Sequence, residues 1–212
     1  MVNFITIMKQ NNFLQYASYT CLMMGLRKLM MLSLLFYLSF FSQPSLKAQI
    51  FISAVVDYSL PMGKFKTVND NGTGYGVTVE SRKYCELWYG LTIEKYKYDT
   101  ISGKPTIHYN EIVQISPHLK YVFVPASCAK FAIQPYIIGA LIFSTIEGND
   151  TESILGCGAS LGGGICMPFK LFKFCWSLEI NAQYSAPNFI LRADGRPSLE
   201  AVNIGALISI GL

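Results

Sequence analysis

Residues 176–184 read Trp-Ser-Leu-Glu-Ile-Asn-Ala-Gln-Tyr, a stretch that keeps a period of two from end to end. Successive side chains of an extended chain point to opposite sides. Trp176, Leu178, Ile180, Ala182 and Tyr184 therefore share one face, and Ser177, Glu179, Asn181 and Gln183 the other. The C-terminal segment repeats the pattern, with Val202, Ile204, Ala206, Ile208, Ile210 and Leu212 set against Asn203, Gly205, Leu207, Ser209 and Gly211. Between Leu155 and Ile165, Leu155, Cys157, Ala159, Leu161 and Ile165 oppose Gly156, Gly158, Ser160, Gly162 and Gly164. Glycine weakens a strand, so a row of it on one face implies close approach, tight curvature or room for a large side chain opposite. A narrow barrel interior supplies all three.

The same alternation extends back to Gln49, and no window shows a sustained 3.6-residue apolar stripe. The spacing predicts strands over Ile50–Leu60, Gly74–Ser81, Glu86–Asp99, Thr106–Val124, Phe131–Ser144, Ser153–Pro168, Phe172–Pro187 and Leu199–Leu212. Met62–Thr73, Thr100–Pro105, Thr145–Glu152 and Asn188–Ser198 are rich in turn formers and read as long connections. Arg82–Cys85, Pro125–Lys130 and Phe169–Leu171 read as short ones. Strict alternation of long and short connections is the pattern of a barrel with external loops at one end and tight turns at the other.

Several of these segments exceed ten residues, whereas strands of a soluble sandwich run to about 5–6. A tilted strand crossing a bilayer needs about 9–11, and closure satisfies every peptide group in hydrocarbon. Tyr58, Tyr75, Tyr89, Tyr109, Tyr121, Trp176 and Tyr184 sit on the apolar register, mostly near strand ends, where interfacial aromatics belong. The expected fold is all-β, a closed antiparallel eight-stranded transmembrane up-and-down β-barrel; a soluble β-sandwich is the structural rival.

Ahead of the barrel, Leu29–Phe41 is apolar apart from Ser33 and Ser39, too short for a spanning helix, which needs about 20 residues. Arg27 and Lys28 precede it, and Leu46-Lys47-Ala48 follows, the layout of a secretory signal peptide with cleavage after Ala48. Residues 1–48 are thus assigned as a cleaved leader and 49–212 as the barrel. A true start at Met23 or Met24 would give the leader a usual length.

The 212 residues carry a net charge of +4, with basic residues scattered rather than gathered into a stripe, so no nucleic-acid footprint exists. Of six cysteines, Cys21 falls in the leader, leaving Cys85, Cys128, Cys157, Cys166 and Cys175. None is spaced Cys-x-x-Cys, and with two histidines, His108 and His118, no zinc set and no other cofactor is expected. Cys166 and Cys175 flank the Phe169–Leu171 connection on the inward register and are candidates for a disulfide. The alternative is two small apolar fillers at a tapering barrel end. Gly162-Gly163-Gly164 lacks the Lys-Ser/Thr of a phosphate loop.

On the polar register lie Asp57, Glu80, Glu94, His118, Lys120 and Glu179, which an eight-stranded barrel would bring together in its lumen. Buried charges need partners, so a lumen-filling polar network is expected, with Lys120 the common partner of the carboxylates. A proton- or ligand-responsive gate centred on His118 is the sharper alternative. Ser116 and His118, two apart on one face, raise the idea of a hydrolase-like pair, although such side chains stand about 6–7 Å apart along a strand.

Over residues 49–212, and especially in Val55-Val56-Asp57-Tyr58-Ser59-Leu60-Pro61-Met62-Gly63-Lys64-Phe65, the chain resembles the small bacterial outer-membrane β-barrel family with eight-stranded, porin-like barrel domains. It departs from many of these in ending on Leu212 rather than an aromatic. The resemblance implies a fold and an outer-membrane location reached by the general secretory route, and no catalytic residue. Such families mix passive anchors, adhesion or secretion-system components and a few lipid-modifying enzymes. The expectation is a non-enzymatic, monomeric anchor, in contact with outer-membrane lipid. Its longer loops would present Lys64, Lys66, Asn69, Asp70, Lys104, Glu147, Asp150, Arg192, Asp194 and Arg196 to an unidentified partner. A narrow pore for small solutes or ions and a lipid-modifying enzyme are the alternatives.

Overall fold

The computed structural model describes residues 49–82, 86–101, 109–123, 133–148, 151–191 and 198–212. The leader with its cleavage site and start codon, Cys85, Cys128, and the loop residues Lys104, Asp150, Arg192, Asp194 and Arg196 lie outside them. Eight strands follow one another around a closed antiparallel barrel. They are β1 (Gln49–Pro61), β2 (Asn69–Arg82), β3 (Leu87–Thr100), β4 (Tyr109–Val122), β5 (Gln134–Gly148), β6 (Thr151–Leu171), β7 (Phe174–Leu191) and β8 (Ala201–Gly211). An even strand count puts the start of β1 and the end of β8 at the same, terminal, end; the opposite end is called distal.

The paired residues fix the size of the barrel. Starting at Phe51, the ladder runs Glu80, Gly90, His118, Ala140, Ser160, Ser185 and Ala201, and returns to β1 at Pro61, ten residues above its origin. With a rise of about 3.3 Å per residue and strands about 4.7 Å apart, that stagger tilts the strands by roughly 40° and sets a radius of roughly 8 Å. Such a lumen holds side chains and little else. Each residue then climbs about 2.5 Å along the axis, so about ten cross an apolar band of 25 Å.

The faces are inverted relative to a soluble protein. Inward positions carry Ser53, Asp57, Ser59, Thr78, Glu80, Gln114, Lys120, Ser177, Glu179 and Ser209, all buried. Outward positions carry aliphatics open to the surroundings, Val56 at 64% and Leu161 at 69% exposure among them. Tyr58, Tyr75 and Tyr184 ring this band towards the distal end, and Tyr121, Phe123 and Phe174 towards the terminal end. The glycine row faces inward as expected: a Cβ at Gly158 would overlap the Ala186 carbonyl oxygen, and one at Gly162 the Ala182 carbonyl oxygen.

Three expectations change. Connections do not alternate strictly: 149–150 alone separate β5 from β6 at the distal end, whereas 123–133 separate β4 from β5 at the terminal end. Thr145–Glu152 looked like loop because it is polar, but β5 and β6 stay paired up to Gly148↔Thr151. Tyr109 is buried in the lumen rather than on the apolar face. The pairings Tyr109↔Gly148 and Glu111↔Glu147 leave Asn110 as an extra residue, and a bulge of one residue reverses the alternation beyond it. Asn69, assigned to an external loop, opens β2 and is buried, its amide Nδ2 donating to the Tyr109 carbonyl at 2.7 Å and its Oδ1 accepting the Tyr109 N–H at 3.0 Å.

Candidate functional site

The lumen is filled in three layers. At the terminal end Lys120 Nζ lies 2.6 Å from Glu80 Oε1 and 2.8 Å from Glu179 Oε2. Arg82 reaches both carboxylates, 3.6 Å from Glu80 Oε2 and 3.3 Å from Glu179 Oε1. Its guanidinium also sits between two rings, 3.4 Å from the centroid of Phe51 and 3.7 Å from that of Trp88. Lys120 lies over Tyr136, at 4.7 Å. Two anions and two cations balance, and aromatic faces lie against the cations. Trp88, Val122, Tyr136, Ile138 and Cys166 pack as the apolar part of this seal.

His118 borders that layer. Its Nε2 is 3.0 Å from Glu80 Oε1, and its Nδ1 is 3.3 Å from Thr92 Oγ1 and 3.4 Å from the Ser116 carbonyl oxygen. His118 thus meets Ser116 through the main chain, with its ring nitrogens on Glu80, Thr92 and that carbonyl.

Above it a cavity of about 40 Å³ is lined by polar groups that include Asp57, Glu94, Gln114, Ser160, Asn181 and Asn203. That is room for about three water molecules. The Tyr96 hydroxyl lies 2.9 Å from Asp57 Oδ2 and 3.2 Å from Glu94 Oε2, and Gln114 Nε2 donates to Glu94 Oε2 at 3.0 Å. Among the described residues no cation pairs with either carboxylate.

The distal layer is apolar. Phe65, carried by the short 3-10 turn Phe65–Thr67, packs edge-on against Tyr98 at 4.9 Å and Tyr109 at 6.2 Å. Tyr96, Ile112, Ile146, Leu199 and Ala201 complete the plug. Glycines 72 and 74 on β2 make it possible, because a Cβ there would collide with the rings of Tyr98 and Tyr96.

All six polar residues singled out from the sequence face the lumen, but they form two groups. Glu80, His118, Lys120 and Glu179 meet at the terminal end; Asp57 and Glu94 meet at the cavity, beyond reach of Lys120. Arg82 belongs to the first group and was missed, because the strand was expected to end at Ser81 and a charged residue past a strand end reads as turn. Phe65 was missed as a plug, since a lone phenylalanine between lysines carries no periodic signal. The candidate disulfide between Cys166 and Cys175 is absent from the described hairpin. Cys166 pairs across the ladder with Glu179 and Cys175 with Lys170, so the two thiols are not opposite one another, and both are free.

No protein-family model matches the chain, and no curated protein matches it. Among solved structures it is similar to Neisserial surface protein A, with a TM-score of 0.55 and 11% identity over 76% of this chain and 96% of that one. It also aligns with the N-terminal β-barrel domain of OprF (11% identity, 77% of this chain and 99% of that one, TM-score 0.46) and with the outer membrane protein OprG (13%, 78% and 94%, 0.45), both from Pseudomonas aeruginosa. At such identities the likeness is one of fold, and the fold is that of the small eight-stranded outer-membrane β-barrels.

Proposed function

We propose that the chain is an integral protein of a bacterial outer membrane, exported by the general secretory route, and that its barrel is a non-enzymatic anchor for distal connections that meet a partner outside the cell. The observation that carries this reading is the pairing of an outward apolar band, ringed by aromatics at both ends, with a lumen closed by an ion-paired layer at one end and an aromatic plug at the other. The first suits hydrocarbon and no aqueous surface. The second sets packed side chains across the lumen at both ends, among the described residues. Closure of the sheet leaves no free edge, which favours a monomer.

A pore for small ions is the second reading, favoured by the polar cavity midway along the lumen. It requires both seals to open. Membrane fractionation with electrophoresis of heated and unheated samples tests the anchor, and planar-bilayer recording separates the two readings. Recovery in the outer membrane with a heat-dependent mobility shift and no steady single-channel current is expected. A soluble periplasmic product would end the barrel reading, and steady current from the unaltered protein would replace the anchor with the pore.

A further inference from the structure

The β6–β7 hairpin does not stop at the rim of the barrel. Cys166 pairs with Gln134, the first residue of β5, yet β6 continues through Met167–Leu171 before turning at Phe172 and Lys173 into Phe174. Across this projection Phe169 faces Trp176 and Leu171 faces Phe174. All four lie on the outward side, in line with Ile165, Met167 and Leu178 of the apolar band. Phe172 caps the tip at 88% exposure.

Phe172 has a φ of 56°, the left-handed region that glycine or asparagine enters readily and a bulky residue does not. The turn thus keeps a phenyl ring at its most exposed point against the local steric preference. Strain of this kind points to a role for the side chain. Lys170 and Lys173 flank it, and no acidic residue occurs from Met167 to Leu178. Rings beside ammonium groups are matched to a lipid interface, where the ring enters the region of the acyl ends and the ammonium meets phosphate.

We propose that this tip is a foot that seats on the anionic phospholipid headgroups of the leaflet at the terminal end of the barrel. Two features select lipid over a protein partner: the outward row continues the lipid-facing band without a break, and the tip's charge is wholly positive. The proposal rests on the membrane reading above.

The test uses the full barrel carrying Phe172→Trp and Trp176→Phe, folded into vesicles of phosphatidylcholine with or without phosphatidylglycerol. Trp88, enclosed in the lumen, is a reference reached by no quencher. Brominated lipid is expected to quench the introduced indole and aqueous acrylamide to leave it shielded. Phosphatidylglycerol should increase the shielding, and Lys170→Gln and Lys173→Gln should each lower the shielded-to-open ratio about fivefold. An indole open to acrylamide in a heat-modifiable barrel would overturn the foot, keep the barrel, and direct attention to a periplasmic protein. Shielding indifferent to phosphatidylglycerol and to both lysines would overturn the headgroup assignment. Absence of any heat-modifiable form would remove the membrane reading and the foot together.

Discussion

Lys120 holds its ammonium 2.6 Å from Oε1 of Glu80 at a depth where both side chains are 1% exposed. The pair is part of a four-charge layer, and removing one member of a buried network strands the others. Lys120→Met leaves Glu80 and Glu179 with Arg82 as their permanent cation and is expected to cost about 3–5 kcal/mol of unfolding free energy. Urea unfolding in lipid vesicles, followed by tryptophan fluorescence, reads the effect. Adding Glu80→Gln to Lys120→Met should recover a large part of the loss, because Arg82 and Glu179, 3.3 Å apart, then remain as a balanced pair. No recovery would mean that packing of the lysine stem, rather than charge, holds the layer.

The tight spacing along β6 makes a second comparison possible. At Gly158 a Cβ would run into the Ala186 carbonyl oxygen, which is backbone and cannot swing aside, whereas at Gly139 the nearest atom is Leu161 Cδ1 at 3.9 Å. Gly158→Ala should destabilise the barrel by roughly 1–3 kcal/mol through forced displacement of the chain. Gly139→Ala should be close to neutral or mildly stabilising, since alanine suits a strand better than glycine. Equal midpoints for the two variants would contradict the close approach of β6 and β7.

The contrast between these glycines also marks how far the sequence could be read. Where the chain crosses the apolar band, alternation alone identified the strands and their faces, because lipid outside and a polar lumen inside impose opposite demands on neighbouring residues. Beyond the band the outward face turns polar, with Lys95, Lys97, Glu111 and Glu147, and of these Glu147 fell in a segment that reads as loop, Thr145–Glu152. There the strands continue by backbone pairing, which leaves no compositional trace. Asn69–Thr73 reads as turn chemistry, yet Gly72 there, like Gly74 at the head of the predicted strand, makes space for a ring across the ladder on β3, Tyr98 and Tyr96 respectively. Bulges are equally silent, and the single extra residue at Asn110 was enough to send Tyr109 inward.

Chemistry at Ser116 can be settled directly. His118 is turned to Thr92 and Glu80 rather than to the Ser116 hydroxyl. Lipid extracts from cells expressing the wild-type chain and Ser116→Ala are expected to show the same masses as the empty-vector control. A mass change present with the wild type and absent with Ser116→Ala would restore the enzyme reading.

The free thiols give a redox prediction. Cys166 is fully enclosed and faces Glu179, while Cys175 faces Lys170, four ladder positions nearer the tip. Oxidation of the folded barrel should therefore leave both unpaired with each other, and Cys166→Ser or Cys175→Ser should not alter non-reducing mobility. A crosslinked peptide containing both residues, found by mass spectrometry after digestion under non-reducing conditions, would show that the hairpin slides in register.

Asn69 and Tyr109 join the distal seal to the wall beneath it. The Asn69 amide satisfies both the N–H and the carbonyl of Tyr109, where the bulge at Asn110 has interrupted the ordinary ladder. Asn69→Ala leaves both backbone groups buried without that partner, at a cost of about 2 kcal/mol or more. Because Phe65 packs on Tyr109, the loss should propagate to 62–68, where Lys64 and Lys66 are exposed. Trypsin should cleave after Lys64 or Lys66 faster in Asn69→Ala than in the wild type, with the heat-modifiable barrel still intact, since the apolar band is untouched. Asn69→Asp keeps the acceptor for the N–H but not the donor for the carbonyl, and its cleavage rate should fall between the two. A rate in Asn69→Ala equal to the wild type would separate the loop from this contact and place the stability of the plug in the rings alone.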